Sequence, residues 1–529
     1  MLRKQITDTY SVSEQISLAD VDVLAESGVT LIICNRPDGE EEGQLPFAEV
    51  AAYAKEKNIQ TEHIPFVGGQ MTASDVTAFQ AAIKDADNVH AYCRTGNRSS
   101  QIWQAAQEAS TTASPQSSTA TAQYDVVVVG AGSAGISTAS SLLKRKPNLK
   151  ICLIDPAESH FYQPGWTLVG GGVFKAANTR RNMTDVIPAN TKWLKESVKT
   201  FLPNENQVVL ENGQHIAYQY LVVAAGIKLN WDAIEGLSET LGRNGVTSNY
   251  RYNLAPYTWE LVKNLKGGKA IFTQPPMPIK CAGAPQKAMY LSCDHWLKKD
   301  KQQDIDVAFY NAGAVLFGVP EYVPALESYI QKYQINTHFT HNLIKVDGPN
   351  KRAYFATTDQ NGDQTIVETE FDMLHVCPPQ TAPDFIRQSP LVDDAGWVDV
   401  DKETLQHTQF KNIWSLGDVS NTPNAKTMAA ARKQAPVVAQ NIVDAIDGKT
   451  LRAIYDGYGS CPLTVERGKI VLAEFGYGGK LLPTFPKWLN DGTKPTYLAW
   501  MLKEDLLPPF YWHGMLKGYE WFVKPTMRK

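Results

Sequence analysis

The segment YDVVVVGAGSAGISTASSLLKRK (124–146) constrains the fold more than any other part of the chain. A run of valines leads into Gly130-Ala131-Gly132-Ser133-Ala134-Gly135, and a helical pattern follows. A second apolar run, LKICLIDP, ends in the acidic Asp155, 20 residues beyond Gly135. A GxGxxG string alone says little. Set between a strand and a helix, with an acid closing the next strand, it specifies a βαβ unit that binds a dinucleotide. The glycines let backbone N–H groups close on a pyrophosphate at the helix N-terminus, where the peptide dipoles favour negative charge. Asp155 is placed to accept hydrogen bonds from a ribose. The candidate contacts are Gly130, Gly132, Ser133, Ala134, Gly135 and Asp155. A purely structural βαβ unit is the bland alternative.

A chain of 529 residues exceeds what one core serves, so three or more domains are expected. The clearest boundary is ASTTASPQSSTATAQ (109–123), which has no charged or aromatic residue. It is expected to be a flexible tether between a small module (1–108) and a large one. The net charge of −4 gives no reason to expect a nucleic-acid partner. Seven cysteines, an odd number in a long chain, argue for reactive or buried thiols rather than a disulfide scaffold. The opening MLRKQITDTYSVSEQ lacks the apolar run of a signal peptide. No apolar run is long enough to span a bilayer.

In the small module, VTLIICNR and NVHAYC read as buried strands, and PFAEVAAYAKEKN has helical spacing, giving an α/β sandwich. At its centre, HAYCRTGNRSS places four residues between Cys93 and Arg98. Inward backbone amides and a guanidinium there make an oxyanion cradle around a nucleophilic sulfur. Asp38 is either a general acid or an ordinary turn residue. His90 beside Cys93 lacks further metal ligands, so no metal is expected.

Two later segments bear on which dinucleotide is bound. YLVVAAG (220–226) and NIWSLGDVSNTPNAKTMAAA (412–431) resemble the further FAD contacts of two-dinucleotide-domain flavoproteins. That resemblance adds Ala225, Gly226, Gly417, Asp418, Lys426 and Thr427 to the cofactor contacts. Lys426 is alternatively a solvated helix lysine. In such proteins a second glycine loop takes NAD(P)H. Here that place holds QPPMPIKCAGAPQK (274–287), with three prolines ahead of Cys281 and a single glycine after it. Side chains there keep backbone amides off a pyrophosphate, so electrons are expected from another source.

The large module is similar to the sulfide:quinone oxidoreductases of the mitochondrial type. The resemblance rests on SHFYQPGWTLVGGG (159–172), YLVVAAGIKLNWDAIEGL (220–237), PIKCAGAPQKAMYL (278–291), GWVDVDKETLQH (396–407), LGDVSNTPNAKT (416–427) and YDGYGSCPLTV (455–465). It implies that FAD is the cofactor, with Gln163 and Pro164 near it, and that Cys281 is a redox cysteine. It also implies that sulfide attacks one of two paired sulfurs and leaves a persulfide, and that quinone takes the electrons. Sulfide, a ubiquinone-type quinone, a thiol or other sulfur acceptor and a membrane surface are the partners expected. One departure stands out. The second cysteine of these relatives follows the Gly-Asp pair, and here that residue is Val419. Cys377, Cys293, or a thiol substrate with no second cysteine are the substitutes, with Cys377 preferred.

The small module resembles the beta-lactamase-hydrolase-like family, which has a phosphatase-like fold. Its short loop is that of rhodaneses, and fusion to a module resembling a sulfide oxidase, which makes persulfide sulfur, assigns Cys93 and Arg98 to sulfur transfer. A phosphatase and an inactive docking domain remain alternatives. The C-terminal stretch PTYLAWMLKEDLLPPFYWHGMLKGYEWFV (495–523) is aromatic and apolar but interrupted at Lys503–Asp505 and Pro508-Pro509. It is expected as two short amphipathic helices lying on a membrane. A helical pair packed on the core, or a homodimer contact, is the alternative.

The expected architecture is therefore an α/β chain. A phosphatase-like domain is tethered to a Rossmann-type flavoprotein with FAD-binding parts at 124–236 and 346–440. A second Rossmann-like domain spans 237–345, and a quinone- and membrane-interacting region spans 441–529. The location expected is the cytoplasmic face of the cell membrane, peripheral or monotopic. Two rivals are an NAD(P)H-dependent disulfide or persulfide reductase and a flavin-binding persulfide sensor.

Overall fold

The computed structural model describes residues 3–41, 43–84, 86–111, 122–358 and 362–528. The first domain is an α/β sandwich. Its sheet runs Lys4–Thr7, Tyr10–Ser13, Val89–Tyr92, Leu31–Cys34, Gln60–His63. The central strands are parallel and buried on both faces, as continuous apolar runs require. Helix Asn97–Thr111 follows Cys93 and runs into the segment expected as a tether. Strand Ala122–Val129 begins at its far end. The rest of that segment lies outside the described residues.

The dinucleotide-binding unit forms as its sequence predicts. Strand Ala122–Val129 lies between Ile151–Ile154 and His215–Val223 in a parallel arrangement, and Ile413–Ser415 adds on beside His215–Val223. Helix Ser133–Arg145 packs closely on this sheet because its inner residues are small. A Cβ on Gly135 would lie 1.9 Å from the Gly130 carbonyl oxygen. The second sheet runs Val246–Thr247, Met373–His375, Gly268–Gln274, Ile305–Asn311, Asn336–Phe339, all parallel. Strand Met373–His375 lies beyond the expected boundary at 345. The antiparallel excursion Asn342–Asp347, Arg352–Thr358, Gln364–Glu370 returns the chain to this sheet before it rejoins the first. A hairpin, Gly459–Glu466 with Lys469–Phe475, packs on helix Ala284–Lys298 of the second domain.

The C-terminal segment departs from the expected pair of helices. Residues 497–517 form one continuous run of helical turns, wide at Leu502–Leu506 and Phe510–Gly514. The wide turns displace the hydrogen-bond ladder, so Pro508 and Pro509 fit without breaking it. Trp500, Tyr511, Trp512, Met515 and Leu516 are buried, while Tyr497, Leu506, Trp521 and Phe522 are exposed. Among the described residues no helix is long and apolar enough to cross a membrane.

Candidate active site

One cavity of about 920 Å³ runs between the two Rossmann-type domains and the C-terminal segment. Gly130, Gly132, Ser133, Ala134, Asp155, Gln163, Pro164, Ala225, Gly226, Gly417, Asp418, Lys426 and Thr427 all line it, as does Cys281. Gly135 does not; it sits under the loop, where only a hydrogen fits against Gly130. A Cβ on Gly132 would meet nothing within 4 Å, and no side chain caps helix Ser133–Arg145. Its first N–H groups therefore face open space, as a pyrophosphate requires. Asp155 accepts from the Ala131 and Ala157 amides at 2.7 and 2.8 Å, so it orders the phosphate loop. Burial raises its pKa.

The far end of the cavity holds polar atoms with no protein partner. Trp166 Nε1, Thr167 Oγ1 and both amide atoms of Asn249 are buried and unpaired. Buried groups of this kind cost free energy unless a ligand satisfies them. Together with the phosphate loop, they fit the two ends of FAD. Lys426 is no solvated helix residue. Its ammonium donates to the Asp418 and Ser420 carbonyls at 2.8 and 2.9 Å and lies 3.9 Å over the Trp397 ring. Burial lowers its pKa to about 8. It thereby fixes the Gly417-Asp418 turn. Gln163 accepts from Lys280 at 2.5 Å, beside the cysteine loop.

Cys281 has a left-handed backbone, φ +51°, which is unusual for a side chain other than glycine. Three hydrogen bonds hold it there. Its N–H donates to the Lys426 carbonyl at 2.8 Å, and the Tyr250 hydroxyl donates to the Lys280 and Cys281 carbonyls at 3.1 and 3.2 Å. An enforced backbone of this kind is typical of functional positions. It aims the sulfur at Lys287, whose Nζ is 3.2 Å away. The thiol of Cys461 also contacts Cys281. The Cys461 hydrogen bond and the Lys287 charge hold Cys281 well below the usual thiol range, despite burial. Burial opposes the charge on Lys287, but the two thiols outweigh it and raise its pKa.

Of the other expected partners, Cys377 shares a small apolar cluster with Cys281, while Cys293 and Val419 lie in larger cores. Cys377 is buried behind the cysteine loop, where Tyr250 and Gln380 hydrogen-bond its sulfur, and burial pushes it up to about 12. It does not line the cavity. Cys293 is fully buried in the core of the second domain, and burial raises its pKa well above the usual value. Val419 packs in the core of the first sheet. The sulfur next to Cys281 belongs to Cys461, which sequence reasoning did not single out.

Comparisons with known proteins match this layout. The phosphatase-like domain of beta-lactamase hydrolase-like protein matches residues 2–110, and pyridine nucleotide-disulphide oxidoreductase matches 124–262. The mitochondrial sulfide:quinone oxidoreductase of Dictyostelium discoideum is 44% identical over 406 residues, covering 76% of this chain and 88% of that protein. The chain belongs to the sulfide:quinone oxidoreductase family. The mouse mitochondrial sulfide:quinone oxidoreductase is 38% identical over 411 residues, covering 78% of this chain and 90% of that protein. The sulfide:quinone oxidoreductase structure from Aquifex aeolicus shares the fold, with a TM-score of 0.62 at 21% identity. It covers 77% of this chain and 97% of that one. As expected of this family, FAD is the cofactor that the cavity fits.

This family member carries a second cysteine loop in its first domain. Cys93 directly follows strand Val89–Tyr92 and is buried. Arg98 donates to both carboxylate oxygens of Glu40 at 2.8 and 2.7 Å and to the Phe66 carbonyl at 2.9 Å. The guanidinium fork of the cradle is thus filled by a carboxylate from the protein itself. Asp38 is exposed and accepts from the Phe47 amide at 2.9 Å at the start of helix Phe47–Glu56. His90 is sandwiched between the Ser11 and Ser13 hydroxyls, and burial lowers its pKa to about 3. Among the described residues no cluster could hold a metal ion.

Proposed function

We propose that this chain oxidises sulfide and passes the electrons to a membrane quinone, leaving the sulfur as a persulfide for a thiol acceptor. The observation that carries this is the Cys281 sulfur, 3.2 Å from the Lys287 ammonium at the wall of the FAD cavity. It stands in the loop where a nicotinamide enzyme has its second glycine motif. FAD, when bound, supplies a two-electron carrier that works between sulfur and quinone. The chain's own residues do the rest. Gly130, Gly132, Ser133 and Asp155 hold the dinucleotide end. Lys426 and Thr427 fix the Gly-Asp turn and the helix behind it. The Cys461 hydrogen bond and the Lys287 ammonium lower the pKa of the Cys281 thiol, which favours the nucleophilic thiolate.

The same cavity is lined at its other end by Phe485, Leu502, Leu507, Phe510 and Phe522. Phe522 is exposed, as are Leu506 and Trp521, the chain neighbours of the lining residues Leu507 and Phe522. This apolar rim supports a seat on a membrane surface, through which quinone enters. In the first domain, we assign Cys93 to sulfane-sulfur transfer. A persulfide sulfur needs no dianion site, whereas phosphate would have to displace Glu40 from Arg98.

Steady-state assays with a ubiquinone analogue test the main reading. Sulfide with a thiol acceptor is expected to drive quinone reduction, and NADH is not. Quinone reduction by NADH with none by sulfide would overturn it.

A further inference from the structure

We propose that Glu474 relays protons from solvent to the quinone, by way of the Tyr458 hydroxyl. The proposal rests on the sulfide-to-quinone reading and supplies the proton path that its quinone step requires.

Stoichiometry sets the need. A quinone becomes a quinol by taking two electrons and two protons, Q + 2e⁻ + 2H⁺ → QH₂. The apolar end of the cavity is walled by Leu472, Leu481, Leu482, Phe485 and Leu502, and none of these can carry a proton. Glu474 is set into that wall and is only 4% exposed. Strand Lys469–Phe475 puts it there. Residues two apart on a strand share a face, so Glu474 follows Leu472 along the cavity side, about 7 Å further on. Ser460 and Pro462, paired with Glu474 and Leu472 across the hairpin, line the same wall. Among the described residues, the other carboxylates on the cavity wall are Asp155 and Asp418, at the dinucleotide site, and the exposed Asp456.

Glu474 is held by proton carriers. The Tyr458 hydroxyl donates to its Oε1 at 2.6 Å, and the Thr484 hydroxyl donates to the same oxygen at 2.5 Å. The Thr484 N–H donates to Oε2 at 3.0 Å. Carboxylates are seldom this buried unless paired, and here the donors are two hydroxyls and an amide. These partners lead outward. Thr484 is exposed, and the Tyr458 N–H donates to Asp456 Oδ1 at 3.1 Å, so Tyr458 stands between a surface carboxylate and a buried one. Each pass moves one proton. The Tyr458 O–H proton shifts to Glu474 while the Tyr458 oxygen takes a proton from water at the surface. The Glu474 O–H then breaks as the quinol O–H forms, and the carboxylate is restored. The electrons are the two taken from sulfide.

A purely structural Glu474 would tie the Leu481–Phe485 stretch to the hairpin and carry no proton, so the test compares acceptors that differ in proton demand. FAD-loaded enzyme, reduced with one equivalent of dithionite, is mixed with a ubiquinone analogue or with ferricyanide, which takes electrons without protons. In Glu474→Gln, reoxidation by the quinone analogue is expected to slow about 100-fold, the scale of general acid catalysis. Reoxidation by ferricyanide, Tm and equilibrium binding of the analogue are expected to match wild type. Glu474→Asp, which keeps a carboxyl group, should recover part of the rate. Tyr458→Phe leaves the carboxylate and its Thr484 bonds in place and should slow the quinone reaction alone, so it decides the relay if Glu474→Gln does not fold. Unchanged quinone reoxidation in either variant, or an equal loss with ferricyanide, would overturn the proposal. Because dithionite supplies the electrons, the result stands apart from the sulfide reading, which wild-type enzyme that never oxidises sulfide would defeat.

Discussion

Lys287 supports charge at the reactive sulfur, alongside the Cys461 hydrogen bond. Its ammonium lies 3.2 Å from Cys281 Sγ in a buried site, where water screens little. A charge-assisted hydrogen bond of this kind contributes about 1.5–3 kcal/mol, or about 10- to 100-fold in a rate that depends on the thiolate. In reduced enzyme, alkylation of Cys281 is expected to persist well below the ordinary thiol range. In Lys287→Met its pH midpoint should move upward, because the thiolate loses its counter-charge, and sulfide turnover should fall by about that factor. An unmoved alkylation profile would show that Lys287 does not stabilise the thiolate. Cys281 was legible in the sequence because it stands where a glycine motif is missing. Cys461 was not, although YDGYGSCPLTV contains it. Nothing in local spacing links it to Cys281; the contact exists only once strand and helix pack, and Gly283, where a Cβ would lie 2.6 Å from the Cys461 sulfur, was its sole sequence trace. Lys503, read as an interruption of an apolar segment, is buried and bound to the Cys461 strand.

Elements built from local pattern were the most legible. The strand, glycine turn, helix and acidic strand end appear as the sequence spaces them; Gly130 and Gly135 answer steric demands there, and Gly132 leaves the turn open. Gly135→Ala tests this. Its Cβ would lie 1.9 Å from the Gly130 carbonyl, so helix or loop must move. The variant should lose about 1–3 kcal/mol of stability and purify with less FAD, read from its Tm and its flavin-to-protein absorbance ratio. Full FAD loading at an unchanged Tm would contradict the packing role. The C-terminal helix was less legible. Lys503–Asp505 and Pro508-Pro509 suggested breaks, yet tertiary contacts carry the chain through them. Tyr511 bonds Ser133 Oγ at 2.6 Å and His160 at 2.5 Å, and Ser140 donates to the Leu516 carbonyl at 2.7 Å. The segment is thereby fastened to the helix that follows the phosphate loop.

At the scale of the whole molecule, the division into a small and a large module follows the sequence, but their contact does not. Asn97 and Gln101, on the helix after Cys93, donate to the Asp393 and Ser389 carbonyls at 3.4 and 3.3 Å. The same stretch leads through Trp397 to Lys426, whose carbonyl accepts the Cys281 amide. The Cys93 module is thus docked onto the layer that supports the redox loop, a placement no linear motif announces. Cys93 itself does not line the FAD cavity. The central claim is that electrons enter this protein from sulfur, through Cys281. Anaerobic titration of the purified, FAD-loaded enzyme with sulfide, followed by the visible flavin absorbance, tests it most directly. Wild type should bleach with about one sulfide per flavin and Cys281→Ser should not, while NADH leaves both unchanged; bleaching by NADH, or sulfide bleaching that survives in Cys281→Ser, would contradict the account.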